Sequence, residues 1–310
     1  MTMMSDDSYP GLYRYADLAS LAAQRTHVRF HKAHLGSLVL TSATGAITAL
    51  NVAWLNTWLY TAMALVLTFG LVILWIMRAS QDDKVWFDGR AVAESVKTAT
   101  WRFMMKAPPF HEDGKAEEQF VAQLKEIREA RPHLGKHIAA KQDADGLSIT
   151  PFMREKRTGS LQDRRAFYVS DRLTDQKAWY ARKAKLNADA GRRWFWIVTG
   201  LQMLAVALAV IQAVSGGMKI NVVPVITTCA AAFAAWGQMK RHDELAQSYA
   251  LATQELEELA SLANGQTTDA DFVQLVEQTE NSVSREHTMW CARRDIHLSE
   301  DRGPSPRTGG

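Results

Sequence analysis

His27, His31 and His34 are spaced 4 and 3 residues apart, so a helix would place all three imidazoles on one face. Imidazole is a metal ligand and a proton carrier. Side chains from consecutive turns of one helix stand side by side, however, rather than around a tetrahedral centre. The expectation is an interfacial face beside lipid headgroups, with no metal. A second spaced set follows at once. Ser37, Thr41, Thr44, Thr48 and Asn51, at intervals of 4, 3, 4 and 3, draw one polar line through LGSLVLTSATGAITALNVAWL, Leu35 to Leu55, which carries no charge. Hydroxyls at every depth can line a water-filled path without the cost of a buried charge. Small and hydroxylic residues can equally glue helices together, the hydroxyls bonding back to their own helix carbonyls. These five residues are therefore pore-lining candidates. Helix glue is the rival, and because one hairpin cannot enclose a channel, lining requires several chains in a ring.

Three further apolar stretches carry thinner versions of the line. They are Thr57, Thr61, Ala64 and Thr68; Gln202, Ala205, Ala209 and Gln212; and Thr227, Ala231, Ala234 and Gln238. For these, helix packing is the favoured reading. Other chemistry is missing. HExxH, GxSxG, a Walker loop, GxGxxG and paired CxxC motifs do not occur, so no catalytic residue and no cofactor is expected. Two cysteines, Cys229 and Cys291, make no disulfide framework and suit a reducing compartment.

The elements that must position these residues are written in the hydropathy. Across 310 residues, 47% are apolar and the mean hydropathy is only -0.18, as in an ordinary soluble protein. The apolar residues are nonetheless bunched into Leu35–Leu55, Thr57–Met77, Trp194–Val214 and Val222–Met239. At about 1.5 Å per residue each window reaches roughly 27–32 Å, enough for a hydrocarbon core. Four transmembrane helices are expected. No Asp, Glu, Lys, Arg or His lies in any window, which argues against coupled transport and voltage sensing. A cleaved signal peptide is not expected, because the first window follows a long segment containing Asp6, Asp7 and Asp17.

Short links, Asn56 and Ser215–Asn221, join the windows into two antiparallel hairpins. Thirteen lysines and arginines lie near the open ends, among them Arg25, Arg29, Lys32, Arg78, Arg192, Arg193, Lys240 and Arg241, against Lys219 alone in the links. The positive-inside rule then puts both termini and the central segment in the cytoplasm. Trp54, Trp58 and Tyr60 would mark the outer interface, and Trp75, Trp194 and Trp196 the inner one. The net charge of +3 needs no nucleic-acid partner, since anionic headgroups account for basic helix ends.

Each half repeats one plan with a period near 160 residues: a polar helix leads into a hairpin and another leaves it. Leading helices are expected over about Leu12–His34 and Arg164–Ala190, and trailing ones over Gln81–Lys106 and Lys240–Leu262. With no breaker stronger than Gly36 or Gly191, the leading helices should run unbroken into the membrane as long cytosolic extensions. Between the copies a short helix carries Phe120, Leu124 and Ile127 on one face. After the second, Thr268 can cap a helix whose Phe272, Leu275, Val276, Val283 and Trp290 dock on a neighbour. The expected organisation is 1–107, first membrane repeat; 108–160, cytosolic connection; 161–300, second repeat and C-terminal helix; and 301–310, a disordered tail.

YVSDRLTDQKAWYARKA, with Tyr168, Arg172, Asp175, Gln176, Trp179, Tyr180, Lys183 and Ala184, resembles the leading motif of SLATT domains, the SMODS- and SLOG-associating two-transmembrane effectors. WFDGRAVAESVKTATW, with Trp86, Arg90, Glu94, Ser95 and Trp101, is similar to the trailing helix of a related SLATT type, and SVSREHTMW, ending in Trp290, to the helix after the second. The resemblance covers nearly the whole chain, in tandem. It implies a pore-forming, antiviral membrane effector of bacterial conflict systems, multi-pass in the inner (plasma) membrane and homo-oligomeric. A nucleotide-signalling partner protein would switch it on to permeabilise that membrane. A non-conducting anchor that recruits a cytosolic partner is the alternative. The expected fold is thus an all-α integral membrane protein of two repeated hairpins, with the lipid bilayer as one partner.

Overall fold

The computed structural model describes residues 4–50, 52–141, 146–214, 220–263 and 268–300, with the backbone only for residue 53 and for 285–300. Among them there is no strand. The helices are α1 (Gly11–Thr48), α2 (Ala53–Ser80), α3 (Asp82–Met104), α4 (Ala116–Glu129), α5 (Gly135–Ala139), α6 (Pro151–Thr158), α7 (Leu161–Tyr168), α8 (Asp175–Val214), α9 (Val223–Lys240), α10 (His242–Ala263) and α11 (Asp269–Glu300). A π-helical stretch, Val169–Thr174, joins α7 to α8 without a break.

Both leading helices continue into their apolar windows, α1 passing Gly36 and α8 passing Gly191. The first hairpin turn differs from expectation. α1 ends at Thr48 and α2 begins at Ala53, so Asn56 sits inside α2, its backbone N–H donating to the Val52 carbonyl at 2.9 Å. A helix needs a few residues to reverse, and a one-residue link could not do it. The tail and most of the second link fall outside the described residues.

Two helical stretches, Trp54–Met104 and Leu161–Val214, are long and apolar enough to cross a membrane, and only 11% and 6% of their most apolar windows is buried. The core helix of a soluble protein would be mostly covered. Here Trp58, Leu65, Leu71, Trp75, Met203 and Val206 all stand more than 60% exposed, a surface that water does not tolerate at that extent. α1, which ends at Thr48, and α9, which ends at Lys240, fall below the same measure.

The chain divides into two compact units. The first comprises 1–23, 83–182 and 248–310. Its core gathers Trp101, Phe103 and Met104 of α3, Phe110, Phe120 of α4, Met153 of α6, Phe167 and Tyr168 of α7, and Phe272 and Val276 of α11, each with almost no solvent exposure. Phe120 and Leu124 are buried and Ile127 half-buried, as their spacing predicts, and so are Phe272, Leu275, Val276 and Val283 on the docking face of α11. Thr268 caps that helix: its Oγ1 accepts from the Asp271 N–H at 3.1 Å, while Asp271 accepts from the Thr268 N–H at 3.2 Å. The last carbonyls of α3 are satisfied by arginines, Arg157 donating to the Phe103 carbonyl at 2.7 Å and Arg164 to the Met105 carbonyl at 2.8 Å. Gly89 lets α3 approach α1, since a Cβ there would lie 3.1 Å from both the Ala16 carbonyl and the Ser20 Cβ.

The second unit comprises 24–82 and 183–247. Within it α1 packs on α2 at Ser37 and Gly70 and at Gly45 and Met63, and on α9 where His31 meets Trp236, ring centroids 6.2 Å apart. α8 packs on α9 through Trp194 and Phe233 at 5.6 Å. It also reaches α10 through the His242 Nδ1–H, which donates to the Asn187 Oδ1 at 2.9 Å. These contacts place α1, α2, α8 and α9 in one bundle.

Candidate functional site

Motif residues of both copies meet in the first unit, around one buried ion pair. Arg172, in the π-helical stretch, donates from Nε to Glu280 Oε1 at 2.8 Å and from Nη2 to Glu280 Oε2 at 2.6 Å, with both side chains at most 1% exposed. The fork geometry matches a guanidinium to a carboxylate. The extra residue of a π turn shifts the register of the helix, which here carries Arg172 to the same glutamate as Tyr168, whose hydroxyl donates to Glu280 Oε1 at 3.0 Å. Thr98 of α3 donates to the other carboxylate oxygen at 3.0 Å. Trp101 closes the cluster. Its indole N–H donates to the Tyr9 hydroxyl at 3.2 Å, and its ring lies 5.2 Å from Phe167, 5.7 Å from Tyr168 and 5.9 Å from the Arg172 guanidinium carbon.

The electrostatics follow from burial. Desolvation works against the Arg172 charge, but the Glu280 charge and hydrogen bonds more than restore it, and the guanidinium is held protonated more firmly than usual. Burial, then the nearby Glu280 charge, drives the Tyr168 hydroxyl well above its ordinary value, and burial does the same to Tyr9. The arrangement is a buried clamp between the π-helical stretch and α11. Among the described residues no group of three or more His, Cys, Asp or Glu side chains is set to hold a metal.

Glu280 was not singled out from the sequence. Its signal is a carboxylate on the apolar stripe of Phe272, Val276 and Val283: a lone acid on a buried face needs a partner. The remaining motif residues lie around the clamp or apart from it. Trp179 and Tyr180 pack on Tyr249 of α10, centroids 5.5 and 5.7 Å away, so the leading and trailing helices of the second copy touch. The Trp86 carbonyl accepts from Ser20 at 2.8 Å. Arg90 and Glu94 are half-buried, and Asp175 accepts from Gln176 at 3.4 Å. The Lys183 carbonyl accepts from Asn187. Trp290 lies on α11 beyond the described side chains.

In the second unit the polar line of α1 is bonded back to its own helix. Ser37 donates to the His34 carbonyl at 2.7 Å, Thr41 to Ser37 at 2.8 Å, Thr44 to Leu40 at 2.9 Å and Thr48 to Gly45 at 2.6 Å. Ser37 is also buried, seated where a Cβ on Gly70 would come within 2.8 Å of its Oγ. Thr41, Thr44 and Thr48 are half-buried. Asn51 lies outside the described residues. Thr61 and Thr68 of α2 bond back in the same way.

Among the described residues the chain is all-helical, with a clamped helical unit and exposed apolar helices long enough to cross a membrane. The family follows from direct comparison. Residues 10–165 match the model described as SMODS and SLOG-associating 2TM effector domain 3, and residues 168–290 match that described as domain 1. The chain belongs to the SLATT family and carries two such domains in tandem. These are two-transmembrane effector domains associated with conflict systems, a family not known as catalytic. No curated protein and no solved structure matches the chain.

Proposed function

We propose that the chain is a membrane effector of a bacterial conflict or anti-phage system. It oligomerises in the inner membrane and permeabilises it when a cytosolic nucleotide-signalling partner acts on it. The observation that carries this reading is the exposed apolar length of α2 and α8 in a chain of tandem two-transmembrane effector domains. Lipid and neighbouring copies are what such surfaces bury against. In the full reading all four windows span, both termini face the cytoplasm, and α1 turns its hydroxyl line toward a shared path. The rival, a non-conducting anchor, draws support from Ser37, which is already used up in contact with α2.

Dye-loaded liposomes separate the two. Full-length protein reconstituted at rising protein-to-lipid ratio should release a small entrapped dye with a steep, cooperative dependence on protein density. Intact vesicles at densities where crosslinking already captures oligomers would leave the anchor reading standing.

A further inference from the structure

We infer that α1 and α9 together form a phosphate-binding site for an anionic phospholipid headgroup, built from Lys32, Lys240, His31 and Trp236. This rests on the membrane reading above and adds a specific ligand to it. The Lys32 ammonium stands 5.2 Å from the Trp236 ring centroid and the Lys240 ammonium 5.0 Å from the same ring. The His31 ring lies 6.2 Å from that indole and stacks on His27 at 6.3 Å. Cation–π attraction holds each lysine, yet it gathers two like charges over one aromatic surface, where they repel.

Among the described residues no carboxylate pairs with either ammonium to offset this. Among the described residues neither Lys32 nor Lys240 forms an ion pair, whereas neighbouring cations do: Arg241 pairs with Glu244 and Arg192 with Asp189. Burial, then the Lys32 charge, pushes the Lys240 ammonium down from its usual range, and burial followed by His27, His34 and Lys240 does the same to His31. His31 Nε2 is buried without a hydrogen-bond partner. Two unpaired ammoniums and one imidazole nitrogen with unmet hydrogen bonding are the donor set that a phosphodiester anion satisfies.

Position selects the source. Lys32 lies three residues before the first apolar window and Lys240 directly after the fourth, at the depth where headgroup phosphates lie and a Trp beside them is at home. A lipid phosphate there would bridge the start of the first window to the end of the last.

The test follows the unfolding midpoint of the detergent-solubilised full chain on addition of phosphatidylglycerol, phosphatidylcholine or inorganic phosphate. Saturating phosphatidylglycerol should raise the midpoint by about 4 °C or more, the scale expected for a ligand well above its Kd, and phosphatidylcholine should not. Lys32→Gln, at an exposed position, should cut the shift by about half, and Lys32→Gln with Lys240→Gln should abolish it. The paired Lys→Arg variant should keep it, as should Lys125→Gln on α4. An equal shift from inorganic phosphate would keep the phosphate site but assign it to a soluble ligand. No shift with either phosphate, or a full shift in the double Gln variant, would overturn the site. A carbonate wash that strips the chain from membranes would instead sink the membrane reading, with the inorganic phosphate arm still reporting on the site.

Discussion

Gln81 and Arg241 hold the same unusual backbone at matching places in the two copies: each is the left-handed C-cap of the second hairpin helix, with φ 50° and ψ 33° at Gln81 and φ 50° and ψ 43° at Arg241. Neither is glycine. A residue with a Cβ in this region gives up about 1–2 kcal/mol, and both copies accept that cost where an apolar helix ends and a polar one begins. The repeat visible in hydropathy is therefore also a repeat in backbone geometry.

Gln81→Gly should release that strain. Glycine loses more entropy on folding, so the net gain in stability is expected at about 0.5–1 kcal/mol, read as a higher unfolding midpoint. Gln81→Val, β-branched and poorly suited to positive φ, should lower it by about 1–2 kcal/mol. A midpoint that rises with Val as much as with Gly would show that the left-handed cap is not held in the folded chain.

The Arg172–Glu280 pair predicts strong non-additivity. Glu280→Leu or Arg172→Met alone leaves a buried charge unanswered and should cost about 3–5 kcal/mol, while the double variant Arg172→Met with Glu280→Leu should recover most of the loss. Denaturant midpoints of the four proteins close the cycle. Simple addition of the two single losses would mean the side chains do not meet.

Much of the fold was legible because it is written in periodicity. Long unbroken leading helices, the docking face of α11 and the Thr268 cap all follow from residues three and four apart. The meeting of Trp179 and Tyr180 with α10 was legible too, because large aromatics beside a short-linked hairpin have few other places to go. The hairpin turn was misplaced because Leu50, Val52 and Ala53 are as apolar as the helices around them, and hydropathy alone does not show where a chain reverses. Glu280 was missed for a related reason: one acid inside an apolar stripe looks like noise until the arginine far away in sequence supplies its partner. The convergence of Trp101 from one copy with Tyr168 and Arg172 from the other is a tertiary fact with no local signature.

Asp17 supplies a pH dependence. Burial first, then the Asp6 and Glu94 charges, raises its carboxyl above the ordinary 3.8, with Arg90 and Lys97 pulling the other way. A folded value above the unfolded one means that the folded chain holds the proton more tightly. Its favourable contribution is full below about pH 3.8 and is lost as pH rises through the folded value. Asp17→Asn should therefore raise the unfolding midpoint at pH 7, with the advantage over the parent shrinking as the pH falls toward 3.8. A constant advantage across that window would assign the effect to something other than ionisation.

Trp179 and Tyr180 test whether the polar helices flanking the apolar windows govern assembly. Tyr180 is 4% exposed, and replacing both with Ala removes the aromatic contacts to Tyr249. The expected loss is about 3–5 kcal/mol for the buried Tyr180 and less for half-buried Trp179. The variant should still insert, because its apolar windows are untouched, but should migrate as a smaller species after detergent extraction. Unchanged oligomer size would place assembly in the hairpins alone.

Thr44 and Thr48 decide between path and glue. Each hydroxyl spends its proton on its own helix, at the Leu40 and Gly45 carbonyls, so what it offers a neighbour or a water column is lone pairs alone. A path lined by acceptors stays wet; a leucine-lined constriction dewets. Thr44→Leu with Thr48→Leu should leave insertion and oligomer size unchanged, since leucine favours the membrane, and should abolish dye release if these residues line a path. If α1 instead packs closely on its neighbours through this face, the bulkier side chains wedge the helices apart and the oligomer itself fails first. Ser37 is the internal control. It is buried against α2, so Ser37→Leu should disturb the hairpin under either reading. Dye release that survives the double leucine substitution in an intact oligomer would remove α1 as the lining helix and turn attention to the Thr57, Thr61 and Thr68 face of α2.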